Sequence, residues 1–230
     1  QLDSAAASTT DVDDLERWSR RAAELWSTHL SDDARSAESL LRVANAGRGD
    51  AELLVSLEQL LGASGQDARR VDILRLRAAG ADPAERERLL REALEQTPDK
   101  DARRGLLEDL VAVTEKRDRP AVLELGALLD AAGDSARALM LVEAFVAQLE
   151  SPTADDLREL GRRSLEAGHF DAAAQHYEGS LAAESGDAQA IEGLLQALLD
   201  AERWADARAA ALRYGAWERA AAALVETGER

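Results

Sequence analysis

The side chains that could do chemistry are few. Three histidines, His29, His169 and His176, are the chain's only imidazoles. His169 and His176 stand seven apart, a spacing that could start a metal site on one helix face, but His169 follows Gly168 in a turn. No third ligand accompanies them, so surface histidines are the favoured reading. The carboxylate doublets Asp32/Asp33 and Asp155/Asp156 could do acid–base work. Both sit where a helix should start, and capping and the helix dipole account for them. The chain has no cysteine, which excludes disulfides, thiolate metal sites and a cysteine nucleophile. No Gly-x-Ser-x-Gly elbow and no Gly-x4-Gly-Lys phosphate loop occurs. A chain that is not an enzyme and carries no metal or cofactor is expected.

Composition narrows the partners. The net charge of −17 over 230 residues is spread along the chain without a basic face. Nucleic acid and anionic membrane surfaces, which need Lys/Arg patches, are therefore disfavoured. The acidity reads as a solvated surface. No uncharged apolar run approaches the roughly 18 residues of a membrane span, so no membrane insertion is expected. A cytoplasmic location is expected, with periplasmic or secreted placement left open. The chain starts at Gln1 without a leader-like apolar segment, and an excised piece of a longer protein is the favoured reading.

The elements that would position any site are helical. Aromatics are only 3% of residues while alanine, leucine, arginine and glutamate dominate. Residues 1–10 are small and polar, expected to be a disordered, frayed lead. Leu15, Trp18, Ala22, Leu25 and Trp26 then form one apolar stripe, and Ala37, Leu40, Leu41 and Val43 form the next before Gly47. These make an N-terminal helix pair over 11–47, a cap on the rest of the array. Further stripes are Leu53, Leu54, Leu57, Leu60 and Leu61; Val71, Ile73, Leu74 and Leu76; Leu89, Leu90, Ala93 and Leu94 after Asp82-Pro83; and Leu106, Leu107, Leu110, Val111 and Val113.

The pattern repeats. Leu157, Leu160, Gly161, Gly168, Phe170, Ala173 and Tyr177 are matched 34 residues on by Ile191, Leu194, Trp204, Ala207 and Ala211 at five of the same stations. Val122, Leu125, Gly126, Leu129, Gly133, Ala138, Val142 and Phe145 hold those stations one unit earlier. The frame gives units near 51–84, 85–118, 119–153, 154–187 and 188–221, so repeats fill 48–215. A last helix is expected over Ala216 to Thr227, within a C-terminal capping segment 216–230. A fixed period of this size marks stacked helix pairs. Gly161 and Ala173 are expected to be small because two helices cross closely there. Phe170 and Trp204 share one aromatic station and are read as packing; Trp217 is read as part of the last helix.

These residues resemble the tetratricopeptide repeat, well over 154–185, fairly over 119–152 and 188–214, and weakly over 51–118, where Arg70 replaces the family's alanine. The resemblance implies an all-α, right-handed α-solenoid of about 13 helices, acting as a noncatalytic scaffold that binds a peptide or helix of a partner in its concave groove. The alternative is a structural spacer or regulatory region of a larger protein, with no ligand of its own. It also implies a groove lined by first helices: Asp155, Arg158, Arg162 and Glu166; then Gln189, Glu192, Gln196 and Asp200; and Leu123 and Ala127 in the preceding unit. The family's Lys and Asn carboxylate clamp is not matched. Arg158 and Arg162 could meet an acidic peptide residue or form surface ion pairs, the second being favoured. Exposed array ends would favour self-association.

Overall fold

The computed structural model describes residues 2–8 and 11–216, in which thirteen α-helices and no strand occur. They are α1 (Leu2–Ser8), α2 (Val12–Leu30), α3 (Asp33–Asn45), α4 (Ala51–Ala63), α5 (Asp67–Gly80), α6 (Pro83–Glu95), α7 (Lys100–Val113), α8 (Arg119–Ala131), α9 (Ser135–Val146), α10 (Ala154–Glu166), α11 (Phe170–Ala183), α12 (Ala188–Asp200) and α13 (Trp204–Tyr214). The chain divides into two compact units, Gln1–Thr114 and Glu115–Arg230. In the first, each helix packs on the next from α1 to α7; in the second, the same holds from α8 to α13, and α10 also touches α12. Helices joined by such short turns fold back on one another as antiparallel pairs. The expected frame boundary at 85 falls inside a helix, because Asp82-Pro83 starts α6 two residues earlier.

Aspartate starts most of these helices. Asp11, Asp32, Asp50, Asp82, Asp99, Asp118, Asp134 and Asp187 each accept a hydrogen bond from a first-turn amide. Each such cap contributes about 1 kcal/mol, so part of the chain's acidity is structural. The ends are closed in two ways. After α4, α8, α10 and α12 the chain turns through the left-handed region at Gly65 (φ +67°), Gly133 (+82°), Gly168 (+77°) and Glu202 (+58°). The next amide then reaches back to the helix, as in Gln66 N–H to Leu61 O and Arg203 N–H to Leu198 O. α5 and α6 lack this turn, and an arginine from the following helix supplies the donors instead. Arg86 binds the carbonyls of Ala78, Ala79 and Ala81, and Arg103 those of Leu94 and Thr97.

The first unit's core gathers Ala23, Ala37, Leu40, Val43, Leu53, Leu57, Leu61 and Ile73, and continues through Leu74, Leu90 and Leu107. The second unit's core holds Ala173, Ala174, Tyr177, Leu181, Ala190, Leu194, Leu198 and Ala207.

Four expectations are revised. The lead holds α1, which is tied down through Asp3: Trp26 Nε1, Ser39 Oγ and Arg42 Nη1 donate to its carboxylate at 2.7, 3.0 and 3.0 Å. Burial raises the Asp3 pKa, but these three bonds outweigh it and leave it lowered. Trp18 and Trp26 are only half-buried, with Arg17 and Arg35 over their rings, and the buried row of α2 is Ser19, Ala22 and Ala23. Leu76 is 53% exposed, since two residues past Leu74 carries it round to the far side of α5. Phe170 and Trp204 are half-buried at the starts of their helices, while Phe145 and Tyr177 are buried. The helix expected over Ala216 to Thr227, including Trp217, lies outside the described residues from Trp217 onward.

Candidate functional site

α10 is fixed at its start by a capping box, formed reciprocally by Thr153 and Asp156, and Asp156, 4% exposed, also accepts from Arg119 Nε at 2.6 Å. Burial pushes the Asp156 carboxyl up, but the bonds from Thr153 and Arg119 prevail and hold it below the usual carboxylate range. Asp155, Arg158, Arg162 and Glu166, spaced by three and four, share one face of this helix.

That face is already wired. Arg158 binds Asp155 at 2.6 Å and reaches Asp187, the N-cap of α12. Arg162 binds Glu159 at 2.7 and 2.9 Å and Glu166 at 2.5 Å. The Asp187 and Glu159 carboxyls are raised by burial, yet the guanidiniums beside them leave both lowered. On α12, Gln189, Glu192 and Gln196 are exposed, and Gln196 Nε2 donates to Asp200 at 2.9 Å. On α8, Ala127 is exposed and Leu123 half-buried. The contact of α10 with α12 and the Arg158–Asp187 bridge bring the two rows together. Carboxylates outnumber guanidiniums on the combined face, and Arg158 and Arg162 already have carboxylate partners.

The floor beneath the face contains what sequence reasoning missed. Arg163, 2% exposed, binds Glu159 at 2.8 Å and, back on α8, Asp130 at 2.6 Å. Its guanidinium lies flat on Gly126, where a Cβ would fall 2.7 Å from Nη2. Tyr177 plays the neutral counterpart. Its ring runs between Gly161 and Gly193, whose added Cβ atoms would lie 3.0 and 2.2 Å from it. Burial pushes the Tyr177 hydroxyl up to about 12, a phenol that stays protonated. The available signal was the glycines: Gly126 and Gly193 sit inside helices, where glycine costs about 1 kcal/mol against alanine unless something needs the space.

The histidines stay apart from this face. His169 is the residue before α11 and is exposed, and His176 is half-buried on α11 with its pKa lowered by burial against the opposing charge of Glu143. Among the described residues no three His, Asp or Glu side chains are grouped to hold a metal, and no helix is long and apolar enough to cross a membrane.

No family model and no curated protein matches the chain. Solved structures similar to it include the MamA protein, at 16% identity over 94% of this chain and 96% of that one with a TM-score of 0.40. TTC0263, a thermophilic TPR protein of Thermus thermophilus, matches at 19% identity over 82% of this chain and 100% of that one with a TM-score of 0.34. BtubC of P. vanneervenii matches at 16% identity over 94% and 93%, with a TM-score of 0.44. From α8 onward first helices start at Arg119, Ala154 and Ala188 and second helices at Ser135, Phe170 and Trp204, the spacing of tetratricopeptide-like repeats.

Proposed function

We propose that this chain is a noncatalytic interaction scaffold, and that the α10–α12 face of its second unit receives a peptide or helix of a partner protein. One observation carries the reading: Asp155, Glu166, Gln189, Glu192 and Gln196 are exposed on two adjoining helices whose backbones are held by caps and by the Arg158–Asp187 bridge. A rigid platform of exposed polar groups binds without first having to order itself. Because Arg158 and Arg162 are engaged within the chain, the complement is a segment that brings cationic or amide groups to the surrounding carboxylates. An acidic segment would have to displace existing pairs.

The second reading, a structural spacer without a ligand, is favoured by the same ion pairs, which serve to join α10 to α12. Crosslinking and affinity capture with the whole chain separate the two. Gln189→Trp with Gln196→Trp adds bulk to the exposed face without touching the core. A scaffold loses its captured partner in this variant at an unchanged melting temperature. A spacer shows the same crosslinks with and without the substitutions.

A further inference from the structure

In the first unit, α5, α6 and α7 surround a cavity of about 500 Å³, within the roughly 300–1,000 Å³ of small-molecule sites. Much of its wall is apolar, from Ala79, Leu90, Ala112 and Val113. Arg75 and Asp109, also on the wall, cancel each other through a 2.8 Å pair. Arg86 is different. Its Nε binds Ala78 O at 2.8 Å and its Nη2 binds Ala79 O and Ala81 O at 3.2 Å, but among the described residues it has no carboxylate partner and its Nη1 no acceptor. A chain of net charge −17, most of whose arginines meet carboxylates, thus leaves an uncompensated cation on a half-enclosed cavity whose wall is part polar and part apolar.

We propose that this cavity binds a small amphiphilic carboxylate, its carboxylate on Arg86 and its short apolar body against Leu90, Ala112 and Val113. The pairing follows from complementarity. A guanidinium forms its strongest hydrogen bonds with a carboxylate, and a chain of a few methylenes gains by leaving water. An alcohol of equal length keeps the second contribution and loses the first; an amine meets a like charge. The site is separate from the α10–α12 face and does not depend on the scaffold reading.

The test is a titration of the full chain with hexanoate, hexan-1-ol and hexylamine, monitored by the methyl resonances of Leu90, Ala112 and Val113. Saturable shifts are expected with hexanoate, about tenfold weaker binding with hexanol, and none with hexylamine. Arg86→Gln should weaken hexanoate about tenfold and leave hexanol unchanged. Because Arg86 also closes α5, Ala112→Trp provides a second variant: Ala112 is exposed, and an indole there fills the cavity without touching that cap. It should abolish the hexanoate shifts at an unchanged melting temperature. Shifts that never saturate, equal binding of hexanol and hexanoate, or undiminished binding in Ala112→Trp would overturn the proposal.

Discussion

Two helix crossings at the same place in the repeat are built from opposite materials. In the second unit, Gly161 on α10, seven residues after Ala154, lies against the Tyr177 ring of α11, and Ala173, three after Phe170, is fully buried. In the first unit, α4 meets α5 at the same offsets, seven after Ala51 and three after Asp67, through Glu58 and Arg70. Arg70 Nη2 binds Glu58 at 3.2 Å and Glu92 on α6 at 2.5 Å, while Arg77 also binds Glu58. The Glu58 side chain is 12% exposed and that of Arg70 24%. One joint is closed by steric fit around Tyr177, the other by charge.

The difference concerns how a joint fails. A small-residue crossing needs no desolvated charge and tolerates almost no added volume. An ionic crossing tolerates volume but holds its charges only while every partner is present, because a half-buried charge left alone keeps its desolvation cost. It also fastens successive pairs, since Glu92 belongs to α6. The second unit makes that link through the Tyr177 ring on Gly193 and through Arg163 on Asp130.

The largest effect expected is at Gly193. Gly193→Leu drives a side chain into the Tyr177 ring and should cost about 3 kcal/mol, read by denaturant unfolding; Ala173→Trp should likewise lower the melting temperature. An unchanged melt in either would break the steric half of the comparison. Next, Arg163→Ala leaves Asp130 only a longer 3.9 Å pair with Arg162 and leaves Glu159 only Arg162, with a loss of about 3 kcal/mol. A cost below about 0.5 kcal/mol would class the pair with surface bridges.

The ionic joint calls for a double-mutant cycle. Glu58→Ala and Arg70→Ala should each cost about 2 kcal/mol, and the double variant should cost clearly less than their sum. Strict additivity would mean the pair does not close the joint. A smaller effect of opposite sign is expected at Glu202, which takes the left-handed turn that glycine holds at Gly65, Gly133 and Gly168. Glu202→Gly should stabilise by about 1 kcal/mol, and a loss would show that its side chain matters.

Last comes pH. The Asp156, Glu159 and Asp187 carboxyls all have lowered pKa values in the folded second unit. A depressed folded pKa means that the stability they add is present above about pH 4, the unfolded range, and is lost as pH falls through the lower folded values. Glu159→Gln should flatten that acid limb in an unfolding series from about pH 6 to about pH 3.

Legibility tracked the length scale of the interaction. Stripes, caps and turn glycines act within a few residues, so Asp50, Asp82-Pro83, Gly133 and Gly168 could be read directly. Leu76 was misread because a run of apolar residues does not say which of them faces inward. Arg70 was visible as a departure from the repeat, but not Glu58 as its answer, since the two meet only once the helices cross.

The sequence by itself determined that the chain is helical, where each helix of the second unit starts and how its turns are made, because those choices are settled by local propensity, capping and backbone sterics. Only the tertiary structure decided that Arg158 reaches Asp187 and Arg163 reaches Asp130, that Tyr177 needs both Gly161 and Gly193, and that Arg86 keeps its charge on a cavity. The first two outcomes depend on distances between residues some 16 to 33 positions apart in the chain, and no local rule sets such distances before the helices pack.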